Sequence, residues 1–149
     1  MFRQLIPFER AKQIILENIP SEPAKTENIP IYKAYNRVLA EDIIAPFDVP
    51  SFNRSIVDGY AVRAEDTFGA EEEKPVKLTL VGRINVGETP KLTINSMETA
   101  EIATGAALPK GANAVVMVEY TSREGDEVAI YRPVVKGENV MKAGDDIKS

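Results

Sequence analysis

The stretch Pro50-Ser-Phe-Asn-Arg-Ser-Ile-Val-Asp-Gly-Tyr-Ala-Val-Arg63 sets the reading of the whole chain. Pro46 and Pro50 stiffen its entrance and remove backbone donors. Asn53, Arg54 and Ser55 follow as a polar cluster, and Asp58-Gly59 then precedes the apolar-rich run Tyr60-Ala61-Val62. Asp-Gly before such a run predicts a tight turn into a strand, because glycine takes positive φ without steric cost. The Asp58 carboxylate then stands at the mouth of a turn rather than on a sheet face. These residues alone leave two readings open: Asp58 caps its own turn, or it meets a ligand or a hydrated metal ion.

The composition narrows the chemistry. The 149 residues are 44% hydrophobic and 28% charged, enough for a packed core in one domain or two small lobes. The net charge of −5 comes without any basic block, which argues against nucleic acid as a partner. An acidic chain also does not draw in an oxyanion by its overall field, so any anion site must be local. Cysteine and histidine are both missing, which removes disulfides, Cys/His zinc sites and Ser-His triads. The remaining Asp, Glu, Lys, Tyr, Ser and Thr suit oxygen-ligated magnesium better than a softer metal. No signal peptide is legible. The longest apolar run, 112–118, is too short to span a bilayer and is broken by Asn113, so the expected location is cytoplasmic, with no membrane partner.

Around the opening stretch, residues 7–18 predict a helix. Pro7 suits the first turn, Glu9 lies near the positive end, and Phe8, Ala11, Ile15 and Ile19 form one apolar stripe. A polar loop over 21–28 follows. One helical turn is expected over 32–35, with Asn36 as a left-handed exit. Val38, Leu39, Ile43 and Ile44 read as buried, and Glu41 and Asp42 as solvated strand ends, with metal ligation as the alternative. Residues 63–74 read as an acidic loop. The clearest strand is 76–86, where Val76, Leu78, Leu80, Ile84 and Val86 fall on one face and Lys77, Thr79, Arg83 and Asn85 on the other. Gly82 interrupts it and predicts a bulge or close crossing. A short strand is expected near 92–94, and 127–132 alternates and pairs back through Glu124-Gly125-Asp126.

A second stretch, 99–119, carries Ile102, the corner Thr104-Gly105, the turn Pro109-Lys110-Gly111 and the small-to-branched run 114–118, fit for a strand buried on both faces. At Thr104 the local residues allow a hydroxyl and nearby N–H groups holding an oxyanion or phosphate, or a turn threonine satisfying its own backbone. A third stretch, 137–147, ends in the acidic pair Asp145-Asp146.

These three stretches, in this order, resemble the MoeA family, the molybdopterin molybdenumtransferases, which includes the E domain of gephyrin. The first resembles Pro-x-Phe-Asp-(Asn/Arg)-Ser-x-x-Asp-Gly-Tyr-Ala, with Asn53 in place of the usual Asp and Ile56-Val57 in place of Ala-Met. The second resembles Ile-x-Thr-Gly-Ala-x-Leu-Pro-x-Gly-Ala-(Asp/Asn)-Ala-Val-Val, with Asn113 where Asp is commoner. The third resembles Gly-x-Asn-Val-Arg-x-x-Gly-Glu-Asp-Ile, with Met141 where arginine is usual.

The resemblance implies an N-terminal portion of a longer enzyme that continues past Ser149 into a MogA-like part. It implies insertion of molybdate or tungstate into adenylylated molybdopterin, with AMP released and Mg2+ required. In a homodimer, this β-rich lobe would complete the cleft of the neighbouring subunit. The alternative is a non-catalytic dimerisation or scaffold module. By resemblance, Asp58 orients a metal (a magnesium candidate) or phosphate, Thr104 donates to an oxyanion, and Asp146 orients a partner group. Arg54, Ser55, Gly59, Gly105 and Lys110 are the remaining expected substrate contacts. The expected fold is α+β: one N-terminal helix and a mostly β, two-lobed chain. An elongated lobe is expected from residues 1–45 plus 138–149, and a compact sheet or barrel-like lobe from 46–137.

Overall fold

The structure is a computed structural model that describes residues 5–19 and 25–149. The chain divides into two compact units, Met1–Ile43 and Ile44–Ser149. In the first unit, helix α1 spans Phe8–Asn18 behind Pro7, with Glu9 in its first turn. Its carboxylate side chain faces the positive end of the helix, as expected. No residue of α1 is buried, and Phe8, Ile15 and Leu16 keep well over half of their surface open. A single 3-10 turn covers Ile31–Lys33, and Asn36 takes the left-handed conformation at φ 59. The polar loop anticipated over 21–28 lies partly outside the described residues.

Burial was expected at Val38, Leu39, Ile43 and Ile44, and the structure overturns it: all four are exposed, Val38 almost completely. The reason is that 37–45 forms neither strand nor helix, so its apolar residues have no sheet or helix face to share. Glu41 and Asp42 are exposed, as their reading as solvated residues requires.

The second unit is built on a curled six-stranded sheet. In chain order its strands are β2 (Gly59–Val62), β3 (Val76–Ile84), β4 (Glu98–Ile102), β5 (Ala114–Met117), β6 (Thr121–Glu124) and β7 (Glu127–Ile130), arranged β5-β2-β4-β3-β7-β6. All neighbours are antiparallel except β3 and β4. A second, two-stranded ribbon pairs β1 (Arg54–Ser55) with β8 (Val140–Met141). The tail beyond β8 runs back along the segment before β1, where Ile147 bridges Val49.

Both faces of the sheet are covered. Tyr60, Val62, Leu78, Val116, Val128 and Ile130 pack on one side, and Ala61, Ile84, Ile94, Ala100, Ile102 and Val115 on the other. Consecutive residues of β2 and β5 therefore enter different cores. That is why 114–117 reads as a continuous apolar run although β5 lies at the sheet edge. The acidic segment 63–74 is more than a surface loop. It contains a 3-10 turn at Ala64–Thr67, and the buried Thr67 hydroxyl donates to the Ala64 carbonyl and accepts from the Val134 N–H.

Strand β3 departs from simple alternation. Its pairing with β4 runs Leu80 to Thr99 and then Gly82 to Ala100, so Val81 is an inserted bulge residue. The side-chain period of two is thereby shifted by one. Leu78 enters the first core and Ile84 the second, so the expectation that 76, 78, 80, 84 and 86 share one face is corrected. The same shift carries Arg83 away from the side of Lys77 and Thr79 and onto the side of its partner Glu101 and of Tyr60.

Candidate functional site

The three motif stretches are far apart in the chain but laced together in space. The Ser55 N–H donates to the Ala106 carbonyl at 3.0 Å, the Gly105 N–H to the Ser55 carbonyl at 2.8 Å, and the Leu108 N–H to the Asn53 carbonyl at 2.9 Å. This zips the first motif onto the second. Asn53 reaches the third with its side chain, and its Oδ1 accepts from the Ala143 N–H at 3.0 Å. An amide oxygen serves this purpose as well as a carboxylate, without a further negative charge. Asn139 closes the set: its Nδ2 donates to the Val115 carbonyl and its own carbonyl accepts from the Ile56 N–H.

This lacing delivers Asp58 to Thr104. Asp58 lies on the loop between β1 and β2, immediately before Gly59. Its Oδ1 accepts two hydrogen bonds from Thr104, from the backbone N–H at 2.7 Å and from the hydroxyl at 3.0 Å. Neither local reading of these residues holds. Asp58 does not cap its own turn, and Thr104 does not satisfy its own backbone; each takes a partner 46 residues away. The backbone N–H of Thr104, and after it the hydroxyl, hold the Asp58 carboxyl below the ordinary carboxylate pKa. Asp58 is exposed and ionised across the neutral range, with Oδ2 free of protein donors among the described residues.

Gly59 is needed here for close approach, not for its dihedral freedom, since its φ is not positive. A Cβ at this position would lie 1.9 Å from the Val116 carbonyl oxygen. Hydrogen there lets β2 draw against β5, and the Val118 N–H then reaches the Asp58 carbonyl at 3.1 Å. Asp58 opens on a cleft of about 250 Å3 whose walls include Gly59, Tyr60, Arg83, Glu101 and Ala103.

The other expected contacts fall elsewhere. Ser55 is buried, and its hydroxyl donates to the Val57 carbonyl at 2.6 Å and accepts from the Val57 N–H, so it shapes the loop that carries Asp58. Gly105, at φ 84, forms the corner after Thr104. Arg54 is half-buried on the β1–β8 ribbon, with Nη2 3.2 Å from the Met141 sulfur. Lys110 is exposed on its turn, where its carbonyl accepts from the Ile94 N–H. Asp146 is exposed on the tail, its N–H bonded to the Val49 carbonyl. None of these last three lines the Asp58 cleft.

Two charged cleft residues were not anticipated as site residues, Arg83 and Glu101. The Gly82 interruption was the one available signal, because a bulge there reverses which face Arg83 occupies.

Among the described residues no group of three acidic side chains is gathered around a point, and none of them forms an all-protein metal cage. Asp58 Oδ2 is a hard oxygen without a protein donor among the described residues, the donor type that would suit a magnesium ion completed by waters.

A curled β-sheet lobe carries the zipped motif loops, with an oriented acid at their junction. The chain matches the family described as the MoeA N-terminal region (domain I and II) over residues 6–149. A putative molybdopterin biosynthesis protein of Methanocaldococcus jannaschii is 41% identical, covering 99% of this chain and 36% of that protein. A molybdopterin molybdenumtransferase of Staphylococcus aureus is 36% identical over 99% of this chain and 35% of its own length. The crystal structure of a molybdopterin biosynthesis MoeA protein from Pyrococcus horikoshii superposes with a TM-score of 0.85 at 43% identity, covering 98% of this chain and 38% of that one.

The chain belongs to the MoeA N-terminal region family, and its α+β architecture of one helix and a curled sheet is shared with the Pyrococcus horikoshii structure. It spans a little over a third of the length of these relatives. Among the described residues no helix is long and apolar enough to cross a membrane.

Proposed function

We propose that this chain is the N-terminal part of a molybdopterin molybdenumtransferase acting in molybdenum cofactor biosynthesis. The reaction read from the family is insertion of molybdate or tungstate into adenylylated molybdopterin with release of AMP, in the cytoplasm. The enzyme is a homodimer in which this lobe faces the MogA-like part of the neighbouring subunit and completes its cleft.

The observation that carries this reading is the Asp58–Thr104 contact. The two donors of Thr104 engage one carboxylate oxygen and leave the other without a protein donor among the described residues, at a cleft walled by residues of the first two motif stretches and by Arg83. Displacing a phosphate ester by an oxyanion demands charge neutralisation and alignment more than a strong base. Asp58 supplies orientation and a hard oxygen, and Thr104 holds Asp58 in place and ionised. Mg2+, where bound at Asp58 Oδ2, neutralises phosphate charge. Asp146 and Lys110 belong in this reading as groups that meet the partner or the substrate outside the cleft.

The test mixes this chain with the complementary C-terminal part and follows AMP release from adenylylated molybdopterin. Asp58→Ala and Thr104→Ala in the reconstituted enzyme are expected to keep dimers and to lose turnover by about 100-fold, the scale of a lost electrostatic group. Normal turnover in both variants would refute the reading. A second reading, that this part serves only as a dimerisation or scaffold module, draws on the unburied apolar residues of α1. It predicts intact dimers with unchanged turnover, so the same variants separate the two.

A further inference from the structure

The bulge at Val81 has a chemical consequence beyond packing. It turns Arg83 onto the face of β4 that carries Glu101, and the two are direct cross-strand partners. Arg83 Nε lies 3.6 Å from Glu101 Oε1, and Arg123, from β6, places Nη1 3.4 Å from Glu101 Oε2. One carboxylate thus spaces two guanidinium groups in a row with a net charge of +1. Arg123 is further committed, since its Nε donates to the Gly125 carbonyl at 2.8 Å.

Arg83 is different. Only its Nε edge is engaged, and its Nη1 and Nη2 donors have no protein partner among the described residues. That unused end is the fork that binds carboxylate, phosphate and other oxyanions bidentately. Its position matches such a role. Arg83 lines the Asp58 cleft, the adjoining groove of about 450 Å3 that includes Arg123 and Asp126, and a further groove of about 550 Å3 that includes Lys91. Among the described residues it is the one cation on the wall of the Asp58 cleft. An isolated surface ion pair would contribute little. Here the pair sets the Nε edge toward Glu101 and leaves the fork open at the cleft, and the bulge is the backbone feature that puts Arg83 on this face.

We propose that Arg83, held by Glu101, binds a tetrahedral oxyanion at the Asp58 cleft and so positions the substrate for Asp58. This rests on the reading of that cleft as the oxyanion-handling half of a transferase site. The shared ligand chemistry is a tetrahedral dianion, either the phosphoryl group of a nucleotide ester or a free metal oxyanion. Opposite charges on Asp58 and Arg83 suit a ligand that carries a phosphate and its counter-cation together.

The experiment titrates the chain, with 15N-labelled arginine, against AMP, pyrophosphate, molybdate and sulfate in turn. Calorimetry and the Nε–H signals are read together. The wild type is expected to bind at least one of these anions with the Arg83 signal moving most. Arg83→Gln is expected to weaken that binding about tenfold, the scale of a lost charge-assisted bidentate pair. Arg83→Lys should recover only part of it. AMP and pyrophosphate responding alone assigns the site to the ester phosphate, and molybdate and sulfate alone to the metal oxyanion. Arg132→Gln, on the Tyr120 ring away from the cleft, should leave binding unchanged. Equal affinity in the wild type and Arg83→Gln, with equal melting temperatures, would overturn the proposal, as would no binding at millimolar anion. In the reconstituted enzyme, loss of turnover on Asp58→Ala with none on Arg83→Gln would sink this inference alone. No loss on either would sink the underlying reading as well.

Discussion

Gly59→Ala is the sharpest probe of how the site is held. The added Cβ would lie 1.9 Å from the Val116 carbonyl oxygen, whereas real contacts of this kind essentially never fall below 3.0 Å. Strands β2 and β5 must therefore part by about 1.1 Å, the difference between those two distances. No flexible side chain can absorb this, because the obstacle is backbone, and β2 is flanked on its other side by β4. Overpacking a tight site costs about 1–3 kcal/mol, and a backbone-on-backbone clash belongs at the upper end. For the 44–149 unit, at roughly 4 °C per kcal/mol, about 3 kcal/mol lowers the melting temperature by roughly 12 °C.

The control is Gly69→Ala. Gly69 has φ 84 and nothing within 4 Å of a built Cβ, so it reports conformational cost alone, about 1 kcal/mol or roughly 4 °C. Thermal unfolding by circular dichroism measures both. Amide exchange adds a local readout: the Val118 N–H, which bonds to the Asp58 carbonyl, should exchange faster in Gly59→Ala and stay unchanged in Gly69→Ala. If Gly59→Ala melts no lower than Gly69→Ala, the close-approach argument is wrong, and with it the account of why glycine follows Asp58.

Three further outcomes follow from the same geometry. The Asp58 carboxyl should titrate below its ordinary value of 3.8, measured by carbon NMR, and Thr104→Val should raise the midpoint only part of the way, because the larger cause, the backbone N–H, survives. A depressed folded pKa adds stability above the unfolded value, so this contribution is lost as pH falls through the folded midpoint below 3.8; a midpoint unmoved by Thr104→Val would contradict the assignment. Asn113→Asp sets a second carboxylate against Glu65, whose own carboxyl is held low first by its backbone N–H and then by the Asn113 amide at 3.0–3.1 Å. The variant should melt lower at pH 7 and recover towards wild type near pH 3, and a pH-independent loss would point to packing instead. Asn53→Ala removes the acceptor for the Ala143 N–H and should cost about 1 kcal/mol, with faster exchange at Ala143 and none of that change at Leu108.

Local pattern served some of this chain well and failed elsewhere for definable reasons. The helix at Phe8–Asn18 was legible because three-and-four spacing, an opening proline and an early glutamate all agree. The strand at Glu127–Ile130 and the turn before it were legible from alternation after Gly125-Asp126, but its partners are β6 and β3 rather than the 114–118 run, because 121–124 carries no apolar pattern of its own. The faces of β3 were not, because parity along a strand holds only until an inserted residue, and whether Gly82 marks a bulge depends on β4, which lies in another part of the chain. Arg83 and Glu101 were missed for that reason. The exposure of Val38 and Leu39 was missed because residue type reports the wish to be covered, not the presence of a cover. Asp58 and Thr104 were singled out through the motifs, yet their contact is a long-range fact that neither stretch contains by itself.

The lacing of the motifs explains why such different residues sit at motif positions. Asn53 and Gly105 both hydrogen-bond to residues of another motif. They keep the 53–55 and 105–108 segments at hydrogen-bond distance, and Asp58 inherits its position from that zipper. An exposed carboxylate alone would sample several rotamers, and ordering a side chain costs entropy each time a ligand binds. Here that cost is met during folding, by two donors from a loop that is itself pinned at both sides of Thr104. The same logic applies to Arg83, whose Nε edge is taken by Glu101 before any anion arrives. Opposite charges are thus presented on one cleft at fixed places by two independent devices, a loop zipper and a strand bulge. Removing either device, without touching Asp58 or Arg83, should weaken ligand alignment while leaving the charges intact. Glu101→Gln is the direct case for Arg83: it frees the Nε edge and leaves the cleft one charge unit more positive. Anion binding should weaken in this variant, and binding that strengthens there would show that charge alone, wherever it points, suffices.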